Sequence, residues 1–369
     1  MKVIVTRNAI LNALKDCSRV ADPKNALDFL KNVYCYVEGE ELVMCASNSE
    51  MYLVERVKLE SVEGEQKKFM MDPKKAIDSL SNIAEQPLTF TVEDSKIVVK
   101  YHKGKFQMAL EEVGDFVAMP EVSNPVSFMV PRTDLVLGFN STIPFCSHDN
   151  LRPAMCGILI DVIGKESANF VATDGHRLAK LSSAFYCDKE MKVIVPKSAA
   201  SVLTALTSKM SNETINGEIG TNNIKFSYGN TQFITRTVDS KYPNYNAVIP
   251  AETDKSIHVV LNKEDIKNAT KRVSVMASEG AMLVEIKVEP GKVILHSEDI
   301  EFQTKGEEEI AVEYAGRSER VGVKATYFID AINVYPDNDI DIRIDDESRP
   351  IVIASHSMTI LLMPLMINN

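Results

Sequence analysis

Apolar positions along this chain keep two periods, and the two alternate in a fixed order. In VIVTRNAILNALKDCSRV, which begins at Val3, a short β-branched run gives way after Thr6 to Ile10, Leu14 and Cys17. Those three are spaced i, i+4, i+7, as on one helix face. FMVPRTDLVLGFNSTIPF from Phe128 and HVVLNKEDIKNATKRVSV from His258 follow the same plan. In the last of them Ile266, Ala269 and Val273 take the apolar face. The breaks fall at Thr6, Pro131 and Asn262, residues suited to starting a helix. A second helical segment follows each time, roughly seventy residues on. These are DPKKAIDSLSNI from Asp72, VPKSAASVLTALTSKM from Val195 and GVKATYFIDAINVY from Gly322, with Pro73 and Pro196 read as first helical positions.

Between and after the helices the period falls to two, the mark of half-buried strands. LTFTVEDSKIVVKYHKGKFQMALEE turns at Glu93-Asp94-Ser95 and at Lys103-Gly104. GEIGTNNIKFSYGNTQFITRTV repeats the pattern with turns at Thr221-Asn222-Asn223 and Gly229-Asn230, and IDIRIDDESRPIVIASHSMTILLMP is its third copy. Each series closes near a proline: Pro120, Pro250 and Pro364. The expectation is an α+β fold of three repeats, roughly 120 residues each, with two helices packed on antiparallel sheets in every repeat. The boundaries fall at 1–122, 123–251 and 252–369.

Composition narrows the class. Hydrophobic residues make up 45% of the 369 and charged residues 25%, which excludes a largely disordered chain. No apolar run reaches the roughly 20 residues of a membrane-spanning helix. The start carries Lys2, Arg7, Lys15 and Asp16, unlike a signal peptide, so a cytoplasmic protein without a membrane partner is expected. Cys17, Cys35, Cys45, Cys146, Cys156 and Cys187 form no C-x-x-C pair and read as reduced, mostly buried thiols. The six histidines do not cluster at metal spacing, and no phosphate-loop, dinucleotide, zincin or nucleophile-elbow motif occurs. Neither a cofactor nor a metal is expected.

The net charge of −11 argues against tight binding of nucleic acid by one basic face. Yet Arg7, Arg132 and Lys263 stand just inside the first helix of each repeat, and Lys74, Lys197 and Lys324 just inside the second. A cation in the first turn opposes the helix dipole by about 0.3–1 kcal/mol. An aligned set of them suggests an external anion, contacted as phosphate without sequence readout. Lys263, Lys267 and Lys271 extend one such stripe at i, i+4, i+8. The plainer alternative is a solvated helix face. Charge is also uneven along the chain. Lys96, Lys100, Lys103 and Lys105 make a basic cluster in the first repeat, and Glu298, Asp299, Glu301, Glu307, Glu308 and Glu309 an acidic one in the third. Opposite clusters at opposite ends suit head-to-tail association, or else are two unrelated solvated patches.

One stretch, ATDGHRLA from Ala172, carries catalytic-looking residues. Asp174 and His176 flank Gly175, which marks a tight turn. A hydrolase would need a nucleophile that no motif supplies, so a structural turn or a binding surface is the better reading. A multi-domain scaffold with no nucleic-acid role is the other alternative.

With these residues in place, the sequence resembles the bacterial DNA polymerase III beta subunit family, the sliding clamps. The resemblance covers the whole chain and rests on Thr173-Asp-Gly-His-Arg-Leu-Ala179, Tyr242-Pro-Asn-Tyr245 running to Pro250, and Met363-Pro364-Leu365. It implies three clamp domains, and a head-to-tail homodimer ring with the helices inside. It further implies a processivity factor without a catalytic site, which encircles double-stranded DNA without reading sequence. Implied partners are the replicative polymerase catalytic subunit, the clamp loader, and repair polymerases and other proteins with a clamp-binding motif, in the bacterial cytoplasm on the nucleoid.

Residue by residue, the resemblance implies a client-peptide pocket at Met155, Thr173, Gly175, His176, Arg177, Leu178, Pro243, Val248, Leu361, Met363, Pro364 and Leu365. It implies DNA-facing residues at Arg7, Lys24, Lys74, Arg132, Lys197, Lys263, Lys267, Lys271 and Lys324, and an interface of Phe106 and Met108 with Val275 and Met276. The chain departs from the family pattern at Met366 and at Asn246-Ala247, where basic residues are usual.

Overall fold

The computed structural model describes residues 1–110, 113, 116, 119–208 and 214–367, without the side chain of Asp28. Lys209 and Met210, the end of one expected helix, lie outside the described residues. The six anticipated helices form as α1 (Arg7–Cys17), α2 (Pro73–Ser81), α3 (Arg132–Thr142), α4 (Lys197–Thr207), α5 (Lys263–Ser274) and α6 (Ala325–Val334). Their apolar faces are those the period gave. Ile10, Leu14 and Cys17 are fully buried, as are Ile266 and Ala269.

Helix starts follow capping chemistry with one displacement. The Asp72 side chain accepts from the Lys74 and Lys75 amides ahead of Pro73, and Asn262 accepts from Glu264 and Asp265. Thr6 occupies the cap position of α1 without a side-chain bond. Pro131 ends the strand Val126–Pro131 at the expected break before α3, whereas Pro196, expected as the first helical position, ends the strand Met191–Pro196 one residue before α4. There the ring's missing N–H falls on a strand terminus and leaves the helix's own donors untouched.

The chain divides into two compact units. One holds residues 1–132, 186–188 and 198–237, and the other the remainder. In the first, α1 packs on α2, and α1 touches both of the unit's sheets. The smaller sheet has five strands, ordered Ser61–Glu63, Lys2–Thr6, Pro87–Val92, Lys96–Tyr101, Gly104–Ala109. The larger has nine, because the second repeat's Thr231–Arg236 pairs antiparallel with the first repeat's Met51–Lys58, Phe233 opposite Leu53. At that seam the buried Glu55 carboxylate accepts from Thr231 Oγ1 at 2.9 Å.

The second unit repeats the scheme. α5 packs on α6, both set between an eight-stranded and a four-stranded sheet. Here the seam joins Arg177–Ala184 of the second repeat to Met358–Leu362 of the third, with Leu178 opposite Leu361. The central repeat therefore gives strands to both larger sheets. Fusing sheets in this way removes two open edges that would otherwise invite unwanted pairing.

Candidate functional site

The helix-start cations divide into three groups. Arg7 Nε donates to the Leu80 carbonyl at 3.0 Å and Nη2 to that of Ser81 at 2.7 Å, both at the C-terminal end of α2. Lys263 Nζ donates to the Tyr335 carbonyl at the end of α6. The backbones match as well: the Arg7 amide donates to the Gln86 carbonyl and the Lys263 amide to that of Asn338. In each pair the first helix's opening cation sits on the negative end of the second. That attraction offsets the unfavourable dipole of its own helix. An external anion is no longer needed to account for these two residues.

A second group is engaged with nearby side chains. Lys267 pairs with Glu264 at 3.0 Å, and Lys197 Nζ approaches His148 Nε2 at 3.3 Å. Arg132 stands apart from this group: it is half-buried at the first position of α3, with its Nε buried and making no hydrogen bond among the described residues. Lys324 is displaced from its expected setting: it lies just ahead of α6, its ammonium 5.1 Å from the Tyr327 ring centroid. That ring also stacks under the Arg177 guanidinium at 4.1 Å, so Lys324 belongs beside the expected pocket. The third group, Lys24, Lys74 and Lys271, is exposed.

The pocket residues come from three distant stretches that the second unit brings together. Gly175 adopts φ +91°, a left-handed torsion that glycine takes at no steric cost, and the turn is closed by its neighbours. Asp174 Oδ1 accepts from the His176 and Arg177 amides at 2.9 and 3.0 Å, while Thr173 Oγ1 accepts from Gly175 N and donates to the Arg177 carbonyl. Asp174 Oδ2 takes Arg177 Nε at 2.9 Å. The three hydrogen bonds that Asp174 accepts in this turn come from the His176 and Arg177 amides and from Arg177 Nε, so the carboxylate holds the turn together.

Arg177 is equally committed. Nη1 meets Asp330 at 2.6 Å, Nη2 meets the Pro144 carbonyl at 2.7 Å, and the guanidinium lies between Tyr327 and Phe145. It braces the site from within, with each of its three nitrogens in a hydrogen bond. His176 is exposed.

Leu178 and Leu361 belong to a core cluster that includes Leu159, Val171, Tyr242 and Tyr245. Tyr242 donates to the Val171 carbonyl at 3.3 Å and burial pushes its hydroxyl pKa up, while Tyr245 donates to Asp161 at 2.8 Å. These bonds fix the Tyr242-Pro-Asn-Tyr245 segment and leave Pro243 on the surface. Leu178 and Leu361, both expected to line the pocket, are each only 3% exposed and belong to the core. The accessible apolar groups are Val248, at 55%, and Met363, at 47%, with Met155, Pro364 and Leu365 half-buried.

Some neighbours were not anticipated. The loop from Ser147 to Met155 is closed by Ser147 N donating to the Met155 carbonyl at 2.8 Å, and it carries Leu151, 91% exposed. The Leu151 amide and Arg152 hold the Asp149 carboxyl below the usual range. Tyr327 and Asp330 were missed because only the fold brings α6 to the turn. Cys146, beside this loop, is buried, and burial pushes its thiol up to about 12. No group of three or more potential metal ligands occurs among the described residues, and no described helix is long and apolar enough to cross a membrane.

Two sheet edges complete the picture. Gly104–Ala109 ends the five-stranded sheet with Phe106 and Met108 half-buried on one face and Lys105 and Gln107 exposed between them. Thr304–Ala311 ends the four-stranded sheet and carries Glu307, Glu308 and Glu309. Beside it, Val275 is 74% exposed directly after α5, and the Met276 carbonyl accepts from Thr304 Oγ1 at 3.1 Å.

Comparison with known proteins agrees with this geometry. Profiles of the N-terminal, central and C-terminal domains of the DNA polymerase III beta subunit match residues 1–120, 141–244 and 246–365, in that order. A beta sliding clamp of Pseudomonas aeruginosa is 26% identical over 351 residues, 94% of each chain. One of Salmonella typhimurium is 26% identical over 370 residues, covering 99% of this chain and all of that one. The crystal structure of a Pseudomonas aeruginosa sliding clamp superposes with TM-score 0.93 at 24% identity, and that of a Thermotoga maritima beta subunit with 0.91 at 19%, each over the full length of both chains. With all three domain profiles matched in sequence order over nearly its whole length, the chain belongs to the DNA polymerase III beta subunit family, the non-catalytic sliding clamps of DNA replication.

Proposed function

We propose that two copies of this chain close head to tail into a ring around double-stranded DNA and there tether the replicative polymerase. The observation that carries this reading is the pair of unlike open edges. A basic edge, Gly104–Ala109 after Lys103, and an acidic one, Thr304–Ala311, lie on different repeats. Pairing the basic edge of one copy with the acidic edge of another satisfies both ladders, and repeating the operation closes a two-fold ring. Phe106, Met108, Val275 and Met276 supply the apolar centre and the charges its rim. The repeats 1–122, 123–251 and 252–369 act as the domains, six to a ring, with their helices toward the DNA.

The acidic total suits this task. A topological link keeps the protein on DNA, so contacts are weak and screened, which permits sliding. Lys24, Lys74 and Lys271 are the exposed cations suited to phosphate, and Arg132 and Lys197 the half-buried ones. The clamp loader, repair polymerases and other proteins with a short clamp-binding motif use the groove bounded by Val248, His176 and Met363. The protein works in the cytoplasm, on the nucleoid.

Replacing Lys24, Lys74 and Lys271 with Glu tests the DNA-facing assignment. Each lysine that faces a phosphate adds roughly 0.9 to the slope of log affinity against log salt. The triple variant is expected to stay folded and dimeric, to load less efficiently, and to show a shallower salt dependence of retention on nicked circular DNA. An unchanged slope and unchanged loading would place the DNA on another surface.

A further inference from the structure

The last described residues form an extended strap tied at two points. Met363 N–H donates to the His176 carbonyl at 2.8 Å, and Leu365 N–H to the Gly322 carbonyl at 2.8 Å. The second tie is an antiparallel bridge to strand Glu319–Lys324, the edge strand whose other side pairs with Leu283–Glu289. Met366 is 92% exposed while Leu365 and Ile367 are half-buried, the alternation of a chain laid flat along an edge.

Gly322 is buried, and its torsion is not left-handed, so conformational freedom does not account for it. Space does. A Cβ at 322 would stand 2.6 Å from the Leu365 carbonyl oxygen, 2.8 Å from Leu283 Cδ1 and 3.1 Å from Ile367 Cγ1. The side-chain atoms have some freedom to turn away. The carbonyl oxygen is backbone, and moving it moves the strap. A glycine inside a strand, where another backbone comes close, is the expected sign of such a contact.

We propose that Gly322 is the seat of the strap and a positioning residue for client binding. It touches no client. It lets the chain after Pro364 lie close to strand Glu319–Lys324, and that depth sets where Met363 and Pro364 stand at the groove. The inference rests on the groove reading above and assigns its outer wall to a residue outside the groove. Ile367 is the strap's second contact at this seat, so the residues beyond Leu365 help hold the groove as well.

The test uses the full-length protein and a fluorescent peptide covering the clamp-binding segment of the replicative polymerase catalytic subunit. Gly322→Ala is expected to lower peptide affinity at least tenfold and to speed hydrogen exchange at the Leu365 amide, with dimer mass unchanged. Gly280→Ala serves as control, because a Cβ there meets nothing within 4 Å, and it should bind as the parent does. Deleting Ile367 to Asn369 loosens the strap without altering the strand, and it too should weaken binding and lower protection at Leu365. Full affinity with a protected Leu365 amide in Gly322→Ala overturns the proposal. Should that variant fail to fold, full affinity in the deletion overturns it. Truncation after Leu362 separates the two readings. If truncation abolishes binding while Gly322→Ala does not, only the seat is wrong. If truncation leaves binding intact, the groove itself is elsewhere.

Discussion

Replacing Val275 with Ala and Met276 with Asp is expected to turn the dimer into monomers. Val275 projects from the end of α5, 74% exposed. Met276 packs against the acidic edge strand, close enough that its Cγ would stand 3.0 Å from a Cβ placed on Gly306. On the other edge Phe106 and Met108 share one face. An apolar centre of this kind carries most of an interface's energy, at roughly 2 kcal/mol or more for each central residue. An aspartate there adds the desolvation of an unpaired charge. Two replaced residues give about 4 kcal/mol per contact, and a closed two-fold ring contains the contact twice, so the loss reaches about 8 kcal/mol, roughly a millionfold in dimer dissociation. Sedimentation velocity below micromolar concentration reads this directly. Arg272, which pairs with Glu308 at 2.9 Å on the same edge, tethers that strand to α5 within the protomer, so the monomer should remain folded. A variant that still sediments as a dimer would move the interface elsewhere.

Truncation after Leu362 is expected to abolish client-peptide binding while leaving the ring intact. The cut falls where the core ends. Leu362 is 1% exposed and closes the strand Met358–Leu362, which stays paired along Arg177–Ala184, whereas Met363 is 47% exposed. Removing Met363 to Asn369 breaks the N–H hydrogen bonds to the His176 and Gly322 carbonyls, worth about 1 kcal/mol each, and leaves the seam between the repeats in place. It takes away one of two accessible apolar anchors and the whole outer wall, so peptide affinity should fall at least a hundredfold. Fluorescence anisotropy with the polymerase peptide checks the first part and sedimentation the second. Full affinity in a folded truncation would put the client site on another face.

The parts of the molecule that were legible in sequence are those set by local period. The helix faces at Ile10, Leu14 and Cys17 and at Ile266 and Ala269, and the hairpins turning at Glu93 to Ser95 and at Gly229-Asn230, depend on neighbours a few residues away. The Gly175 turn was legible for the same reason. What stayed hidden depends on partners far along the chain. Arg7 and Lys263 read as surplus positive charge because their carbonyl partners, Leu80, Ser81 and Tyr335, lie more than seventy residues away. Lys324 read as one of that set until Tyr327 and Arg177 came beside it. Leu178 and Leu361 carry the same apolar signal whether they sit in the core or line a groove. Only the pairing of their strands decides that they sit in the core. The fusion of Thr231–Arg236 with Met51–Lys58 leaves no trace in either segment's pattern, since an edge strand and an interior strand of an antiparallel sheet alternate alike.

The central claim is a topological link to DNA, and its most direct measurement is release at a free end. The protein is loaded on nicked circular duplex DNA by the clamp loader, freed of unbound protein by gel filtration, and split into two portions, one of which is cut once by a restriction enzyme. The account predicts that the clamp stays with the circle through a wash of raised salt and leaves the linear DNA by running off its ends. Blocking both ends with a bound protein should restore retention. Equal retention on circular and linear DNA, lost from both as salt rises, would show an ordinary electrostatic binder and contradict the ring.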